Sequence, residues 1–521
     1  MIALTAAEVA ELARGRLRGV EDPQATVVTA ADTDSRAMAP GALFIAKPGE
    51  TTDGHRFIDA ALAAGASLVL AERETEDPQG QAHPAVLVED VVIAMGHLAA
   101  GIVQLIREHS PTTVIGITGS AGKTTTKDLL RALLEPEGLT VAPQGSYNGE
   151  VGVPLTVFTA PLETRYLVVE MGADGPGNIR YLCQMVRPDI GAVLMVGSAH
   201  AGKFGGTDRI AAVKQELVEE VPAAGQLILN ADDVQVRAMA EAAQAPITWI
   251  SVDGGADRHT DRHADLNAGL PTGLGTEGDT GASSVMAREV VLDEAGRPSF
   301  DLHVGGSPAH RVQSGLTGAH HVTNVLAAAA TARALGVAVE DIAARLDGLG
   351  PSSRWRMERT ERADGVTVIN DAYNANPESM REALRTLAMI SRGGGRRAVA
   401  VLGAMLELGE ESIVRHTQLG ETVVRLNIDR TLVVGDEAYP LYRGAVAEGS
   451  WGAEVEWVAT AGQAQERLET LLEPGDVVLF KSSNGAGLRL LGDHVAAQTP
   501  GDGGDGRPDP DAREGKAGAA W

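Results

Sequence analysis

Residues 113–130 read TVIGITGSAGKTTTKDLL, and few folds accept that order. Val114, Ile115, Gly116 and Ile117 form an apolar run that predicts a buried parallel strand. A glycine-rich turn follows, Thr118-Gly119-Ser120-Ala121-Gly122, and Lys123-Thr124-Thr125 opens a helix. Glycines let backbone N–H groups close around phosphate oxygens, and the helix N-terminus adds a positive end. Lys123 is placed to reach the β- and γ-phosphates, and the Thr124 hydroxyl to ligate Mg2+. The spacing departs from G-x-x-x-x-G-K-[ST], because Ile117 stands where the first glycine belongs. The competing reading is a glycine-rich turn with a chance lysine. A strand before the turn and a helix after it favour phosphate.

The same alternation continues on both sides. A chain of 521 residues predicts about three domains. Residues 1–109 form the first, an α/β unit with Thr5 as N-cap of a short helix and strands at 26–30, 42–46, 67–71 and 85–88. Two polar turns there, Asp34-Ser35-Arg36 and Asp53-Gly54-His55, are placed to meet a ligand. Turn chemistry alone explains them about as well. Residues 110–349 form the second, a doubly wound sheet whose further strands cover 166–170, 190–196 and 226–229. These end at Glu170, at Ser198-Ala199-His200 and at Asn230-Ala231-Asp232-Asp233. Ligands lie outside the carboxyl ends of such strands, so four polar clusters converge on one crevice. Residues 350–498 form a third, Rossmann-like α/β unit with strands at 366–369, 398–402, 430–434 and 476–480. Residues 253–284 read as a mobile insertion and 499–521 as a disordered tail, both rich in Gly and Asp with little to bury.

The net charge is −26, from 70 acidic and 44 basic residues, which argues against a general nucleic-acid or anionic-membrane binder. Phosphate sites are local, so a nucleotide substrate stays open. Cys183 is the single cysteine and cannot form an intrachain disulfide. The N-terminus lacks a basic start with an apolar core, and no run reads as long enough to span a bilayer. A cytoplasmic protein is the expectation.

TGSAGKTTTK, the strand-end Glu170, SAH at 198–200, NADD at 230–233 and GAHHVTN at 318–324 together resemble the Mur ligases. The stretch Asp371-Ala372-Tyr373-Asn374-Ala375-Asn376-Pro377-Glu378-Ser379-Met380 is similar to that family's MurF branch. So are Met405-Leu406-Glu407-Leu408-Gly409 with His416, and Ser146, Asn148, Gly152 and Pro154. The stretch GALFIAKPGETTDGHRFIDAALAAGA looks like the family's UDP-binding domain. Asn370 stands where many relatives have an aspartate, Ala404 where an acid is usual, and Ser482-Ser483-Asn484 in place of a Gly-Ser-Arg-like turn. Gly149 replaces a common asparagine.

The resemblance implies an ATP-dependent ligase that joins D-alanyl-D-alanine to UDP-N-acetylmuramoyl-tripeptide through an acyl phosphate; a monomer is the expectation. It implies adenine or ribose contacts at Asn230, His320 and Asn324, phosphate binding by Arg356 and a ribose contact at Asp371. It implies a second Mg2+ at Glu170 and His200. Ser35, Arg36, Asp53, Gly54 and His55 would take the UDP end. Asn148, Tyr373, Asn374, Asn376 and Lys481 would take the rest of the substrates. A sister ligase adding another amino acid stays as an alternative, although Asn374-Ala375-Asn376-Pro377-Glu378 lacks the arginine of the diaminopimelate-adding branch. A folate polyglutamate ligase and a silent nucleotide-binding relative are further alternatives. The UDP-like first domain and the intact Lys123, Thr124, Glu170, His200 and Lys214 argue against them.

Lys214 carries its own argument. Residues 209–220 predict a helix on which Ile210, Ala211, Leu217 and Val218 surround Lys214 at spacings of three and four. A buried ammonium loses its proton more readily. A neutral amine adds CO2 to give a carbamate, an anionic oxygen ligand for Mg2+. The position matches the lysine that Mur ligases carbamylate. A lysine snorkelling to water is the competing reading.

Overall fold

The computed structural model describes residues 1–49, 52–197, 206–252, 284–449 and 454–498. His200, the insertion up to residue 283 and the tail lie outside them. Ser284, expected to end the insertion, instead opens a strand, Ser284–Leu292. The described residues form two compact units, Met1–Arg354 with Glu407–Glu411, and Trp355–Leu406 with the residues from Ser412 onward.

Among the described residues the first unit holds a two-stranded, a five-stranded and a nine-stranded sheet. In the five-stranded sheet Ala85–Leu87, Ala66–Ala71, Ala42–Ile45 and Ala30–Asp32 run parallel, and Arg16–Arg18 pairs antiparallel at one edge. Thr5 caps the helix Ala6–Leu12 as expected, in a reciprocal capping box with Glu8. In the nine-stranded sheet Thr113–Thr118 lies between Tyr166–Glu170 and Ile190–Val193, and Thr140–Val141 forms the edge beyond Tyr166–Glu170. Gln226–Asn230, Ile247–Val252 and Ser284–Leu292 extend it in parallel, and Pro298–Val304 and His310–Gln313 finish it antiparallel. The strand Ser284–Leu292 carries polar side chains such as Arg288 and Glu289, which is why an apolar run did not reveal it.

Period-two alternation splits the sheet between two cores. Leu167 and Val169 face one, Tyr166 and Val168 the other. The first core is continuous with the N-terminal residues through the helix Val91–His109, which buries Val91, Met95, Leu98, Ile102 and Ile106. By length and composition that helix could cross a membrane, contrary to the sequence expectation, but its four- and three-residue spacing sends this face into the core. In the second core the helix His321–Ala334 packs on the phosphate-loop helix Lys123–Leu134. Ala327, Ala328, Ala329 and Ala330 are buried, and their short side chains allow close approach.

The second unit is a six-stranded sheet. Thr367–Asn370, Val477–Lys481, Ala398–Leu402, Arg430–Val434 and Val455–Val458 are parallel, with Glu358–Glu361 antiparallel at one edge.

Candidate active site

Parallel register sets the strand ends of the first unit side by side. Glu170 pairs with Ile117, and Val193 pairs with Thr118. The glycine-rich turn therefore leaves the sheet between its neighbours' ends. Ile117, at the place of the missing glycine, is still strand and is fully buried. The loop begins at Gly119, with φ of +157°, and closes at Gly122, with φ of +87°. A Cβ on Gly122 would stand 2.2 Å from Asn324 Oδ1, and one on Gly119 3.0 Å from Leu194 Cβ. Bare backbone at these points is what a phosphate cradle needs, and the loop fits a nucleotide triphosphate.

The loop is tied down on both sides. Thr118 Oγ1 donates to the Met171 carbonyl at 2.8 Å, and Gly197 N donates to Ser120 Oγ at 2.8 Å. Ala121 and Thr125 are half-buried on either side of Gly122-Lys123. Lys123 Nζ donates to the Gly119 carbonyl at 2.6 Å, which folds the side chain back over the loop.

Three oxygens converge at the start of the helix. Thr124 Oγ1 lies 3.3 Å from Glu170 Oε2 and 3.4 Å from Ser146 Oγ, and Ser146 Oγ lies 3.2 Å from Glu170 Oε2. Asn148 Nδ2 donates to Ser146 Oγ at 3.2 Å. Among the described residues no three His, Cys, Asp or Glu side chains cluster as a metal site. A carboxylate with two hydroxyls is nevertheless a hard oxygen set, the donor type Mg2+ selects.

Two site residues were not assigned from the sequence. Ser146 is one; its only signal was its place in the QGSYNG stretch. The other is Lys127, which is 3% exposed, donates to the Pro143 carbonyl at 2.9 Å and pairs with Asp128 at 2.6 Å. It holds the loop that carries Ser146 against the helix. Its signal was a lysine on the same helix face as Leu130 and Leu134.

Lys214 sits on the helix Thr207–Glu220 and is 8% exposed. Burial pulls its pKa down to about 7, and the nearby charge of Lys123 pushes the same way. Asn324 lies against Gly122 of the loop, and its Nδ2 is 3.1 Å from His321 Nδ1. His320 stands at the N-cap position of that helix, without a side-chain cap bond, and its ring lies 4.0 Å from the His321 ring. Asn230 lies at the end of the strand Gln226–Asn230. Its Nδ2 donates to the Leu194 carbonyl at 2.8 Å and its Oδ1 accepts from Asp232 N at 3.0 Å. The amide ties two strand ends together.

In the N-terminal residues both polar turns border the helix Ile58–Ala63. Arg36 is exposed and forks onto Asp34, which caps the turn holding Ser35. Asp53 accepts from Arg73, from His55 N and from His55 Nδ1, and these bonds, Arg73's first, hold its carboxyl well below the usual carboxylate range. His55 Nε2 accepts from Glu72 N at 3.0 Å, so the ring carries its proton on Nδ1. With both nitrogens engaged and the ring buried, His55 shapes this turn. Gly54 is required by close approach, since a Cβ would stand 2.5 Å from the Lys47 carbonyl oxygen.

The second unit builds a separate cluster at its own strand ends. Lys481 is 2% exposed and donates to Asp371 Oδ2 at 2.5 Å and to the Asn374 carbonyl at 3.1 Å. Asp371 Oδ1 accepts from Met357 N at 3.1 Å. Burial lowers the lysine pKa and Asp371 opposes that. Asp371 and Lys481 are therefore ion-paired with each other at these strand ends. Asn376 is also a structural cap, accepting from Ser379 N at 2.8 Å. Tyr373 is half-buried, with the Arg356 guanidinium 4.5 Å from its ring centroid and Trp355 stacked at 6.4 Å. Asn374 is exposed. The departure at Asn370 has a local reason. Its Nδ2 donates to Asp493 Oδ1 at 3.1 Å and to the Arg489 carbonyl at 2.9 Å. An aspartate there would face a second carboxylate.

Lys481→Met leaves Asp371 buried without its cation and is expected to destabilise the protein by roughly 3–5 kcal/mol. A urea midpoint measures it. Adding Asp371→Asn should recover part of the loss, and two additive losses would contradict the pairing.

Three family models match the chain: the Mur ligase family catalytic domain at residues 28–102, the Mur ligase middle domain at 117–332 and the Mur ligase glutamate ligase domain at 355–484. The UDP-N-acetylmuramoyl-tripeptide--D-alanyl-D-alanine ligase of Mycobacterium tuberculosis is 42% identical, over 95% of this chain and 98% of its own. The Bacillus subtilis enzyme of the same name is 30% identical, over 94% and 98%. A crystal structure of MurF from Acinetobacter baumannii superposes with a TM-score of 0.78 at 28% identity, covering 95% of this chain and 99% of that one. MurF from Thermotoga maritima in complex with ADP gives 0.69 at 28%, covering 89% and 96%. With matches of this extent across both units, and a phosphate cradle with strand-end oxygens at its centre, the chain belongs to the Mur ligase family.

Proposed function

We propose that the protein joins D-alanyl-D-alanine to the free carboxylate of UDP-N-acetylmuramoyl-tripeptide, converting ATP to ADP and phosphate, in the cytoplasmic stage of peptidoglycan synthesis. The observation that carries this is the 42% identity over 95% of the chain to a ligase of that name. It gains from the convergence of Thr124, Ser146 and Glu170 beside the phosphate loop.

A carboxylate does not accept an amine at neutral pH until it carries a leaving group. Phosphoryl transfer from ATP to the tripeptide carboxylate makes an acyl phosphate. The dipeptide amine then attacks the carbonyl carbon, and the tetrahedral intermediate expels phosphate. The protein contributes positioning and charge neutralisation. Gly119 to Gly122 present backbone N–H groups to the phosphates, and Lys123 neutralises charge on the group in transfer. Thr124 and Glu170 would hold Mg2+, with His200 and a carbamylated Lys214 completing the set that the family resemblance implies. Bound there, Mg2+ supplies neutralisation of the phosphate and carboxylate charges. Asn324 lies where it can meet the nucleotide beyond Gly122. Ser35, Arg36 and the turn shaped by Asp53, Gly54 and His55 would take the UDP end. Arg356, Tyr373 and Asn374 would contact substrate, with Lys481, Asp371 and Asn376 beside them in the same unit.

A coupled phosphate-release assay tests the reading. Release is expected with ATP, the UDP-tripeptide and D-alanyl-D-alanine together, and only at background when any one is omitted. Faster release with a UDP-dipeptide and diaminopimelate would assign the chain to the sister branch instead.

A further inference from the structure

We propose that Glu216 is a positioning residue for Lys214, fixing the helix that carries the lysine against the segment that leaves Glu170. This rests on the reading of Lys214 as a carbamate site.

Glu216 follows Lys214 by two residues on the helix Thr207–Glu220 and is 6% exposed. Residues two apart project from nearly opposite sides of a helix, so the carboxylate points away from the amine. It reaches a neighbouring helix instead. Oε1 accepts from Gly177 N at 2.6 Å and Oε2 accepts from Arg180 N at 2.9 Å. These are N–H groups at the start of the helix Asn178–Val186, which its own chain cannot satisfy. The N-cap is Gly177, at φ of +86°, with no side chain to accept from them. The cap is supplied across the gap by Glu216, as a buried, charge-assisted pair of bonds.

The chain between Glu170 and Gly177 is short, so the start of this helix is tethered to the end of the Glu170 strand. Arg180 returns to Glu219, and to Glu220 at 3.0 Å, on the helix of Lys214. Those pairs are partly exposed and contribute little by themselves. The buried Glu216 bonds carry the constraint. Lys214 cannot slide along or turn about its helix axis relative to Glu170 without breaking both.

Glu216→Gln keeps the shape and removes the charge and one acceptor. With isotope-labelled bicarbonate, NMR is expected to show a carbamate in the wild-type enzyme and lower occupancy in Glu216→Gln. The kcat should fall roughly tenfold to a hundredfold, with the KM for ATP little changed. The double variant Glu219→Gln, Glu220→Gln loses the Arg180 pairs and should keep the carbamate and the rate. In a Lys214→Ala background rescued by acetate, adding Glu216→Gln should cost less than about twofold, because the residue acts through Lys214. An equal cost in both backgrounds, or a wild-type carbamate undiminished in Glu216→Gln, overturns the inference. A wild-type enzyme without carbamate overturns the Lys214 reading as well. Should Glu216→Gln not fold, Glu216→Asp keeps the charge one methylene short and should give an intermediate loss; full activity there also overturns the inference.

Discussion

Lys123→Ala is expected to abolish phosphate release. The Lys123 ammonium lies over the loop at 2.6 Å from the Gly119 carbonyl, where the transferring phosphoryl group would develop its charge. A preorganised cation in that place is worth about a hundredfold to a thousandfold in kcat. The measurement is the coupled release assay at saturating substrates, with thermal unfolding as a control for folding. The wild-type protein should gain stability from ATP with Mg2+, and the variant should gain much less. Turnover close to wild type would sink the assignment of this loop to ATP. The same variant tests the electrostatics, because Lys123 is one cause of the low Lys214 pKa. Removing its charge should let the Lys214 pKa rise.

Lys214→Ala is expected to be nearly inactive and to recover part of its rate with acetate. At a pKa of about 7, set mainly by burial, a large share of the amine is neutral at physiological pH and able to add CO2. Acetate can restore a carboxylate-like oxygen pair in the space the alanine leaves. Activity of the wild-type enzyme should need bicarbonate and should fall as pH drops below about 7, where protonation competes with carbamate formation. The stability of the unmodified protein has the opposite origin and a defined sign. Between about 7 and the ordinary value of 10.5 the unfolded chain binds the proton that the folded chain refuses, so stability rises with pH across that window. Below about 7 the penalty is complete and constant. A fully active Lys214→Ala enzyme, or activity indifferent to bicarbonate, would refute the carbamate.

Much of the chemistry was legible because it lies in contiguous residues. TGSAGKTTTK is strand, loop and helix in one stretch, and its purpose follows from glycine's missing Cβ and the helix start. The strand Tyr166–Glu170 matched the expectation residue for residue, since an apolar run that ends in a carboxylate has few other uses. The stripe around Lys214 announced its burial through spacing alone. Identity of side chain and local period are properties of the sequence, and they determined the α/β class, the phosphate loop and the buried lysine.

Partnership is not such a property. Asn230, Asp371, His55 and Lys481 all read as ligand contacts, because polar residues at strand ends and turns look alike whether they face solvent or one another. Only the tertiary structure shows which protein partner each one meets, as Lys481 meets Asp371. Ile117 in place of a glycine became harmless once register put it inside the strand. Ser146 and Lys127 became site residues only when the fold carried their loop and helix together. A hydrogen bond between distant residues depends on register and helix packing, and those are set by the burial of the whole chain, not by any local stretch.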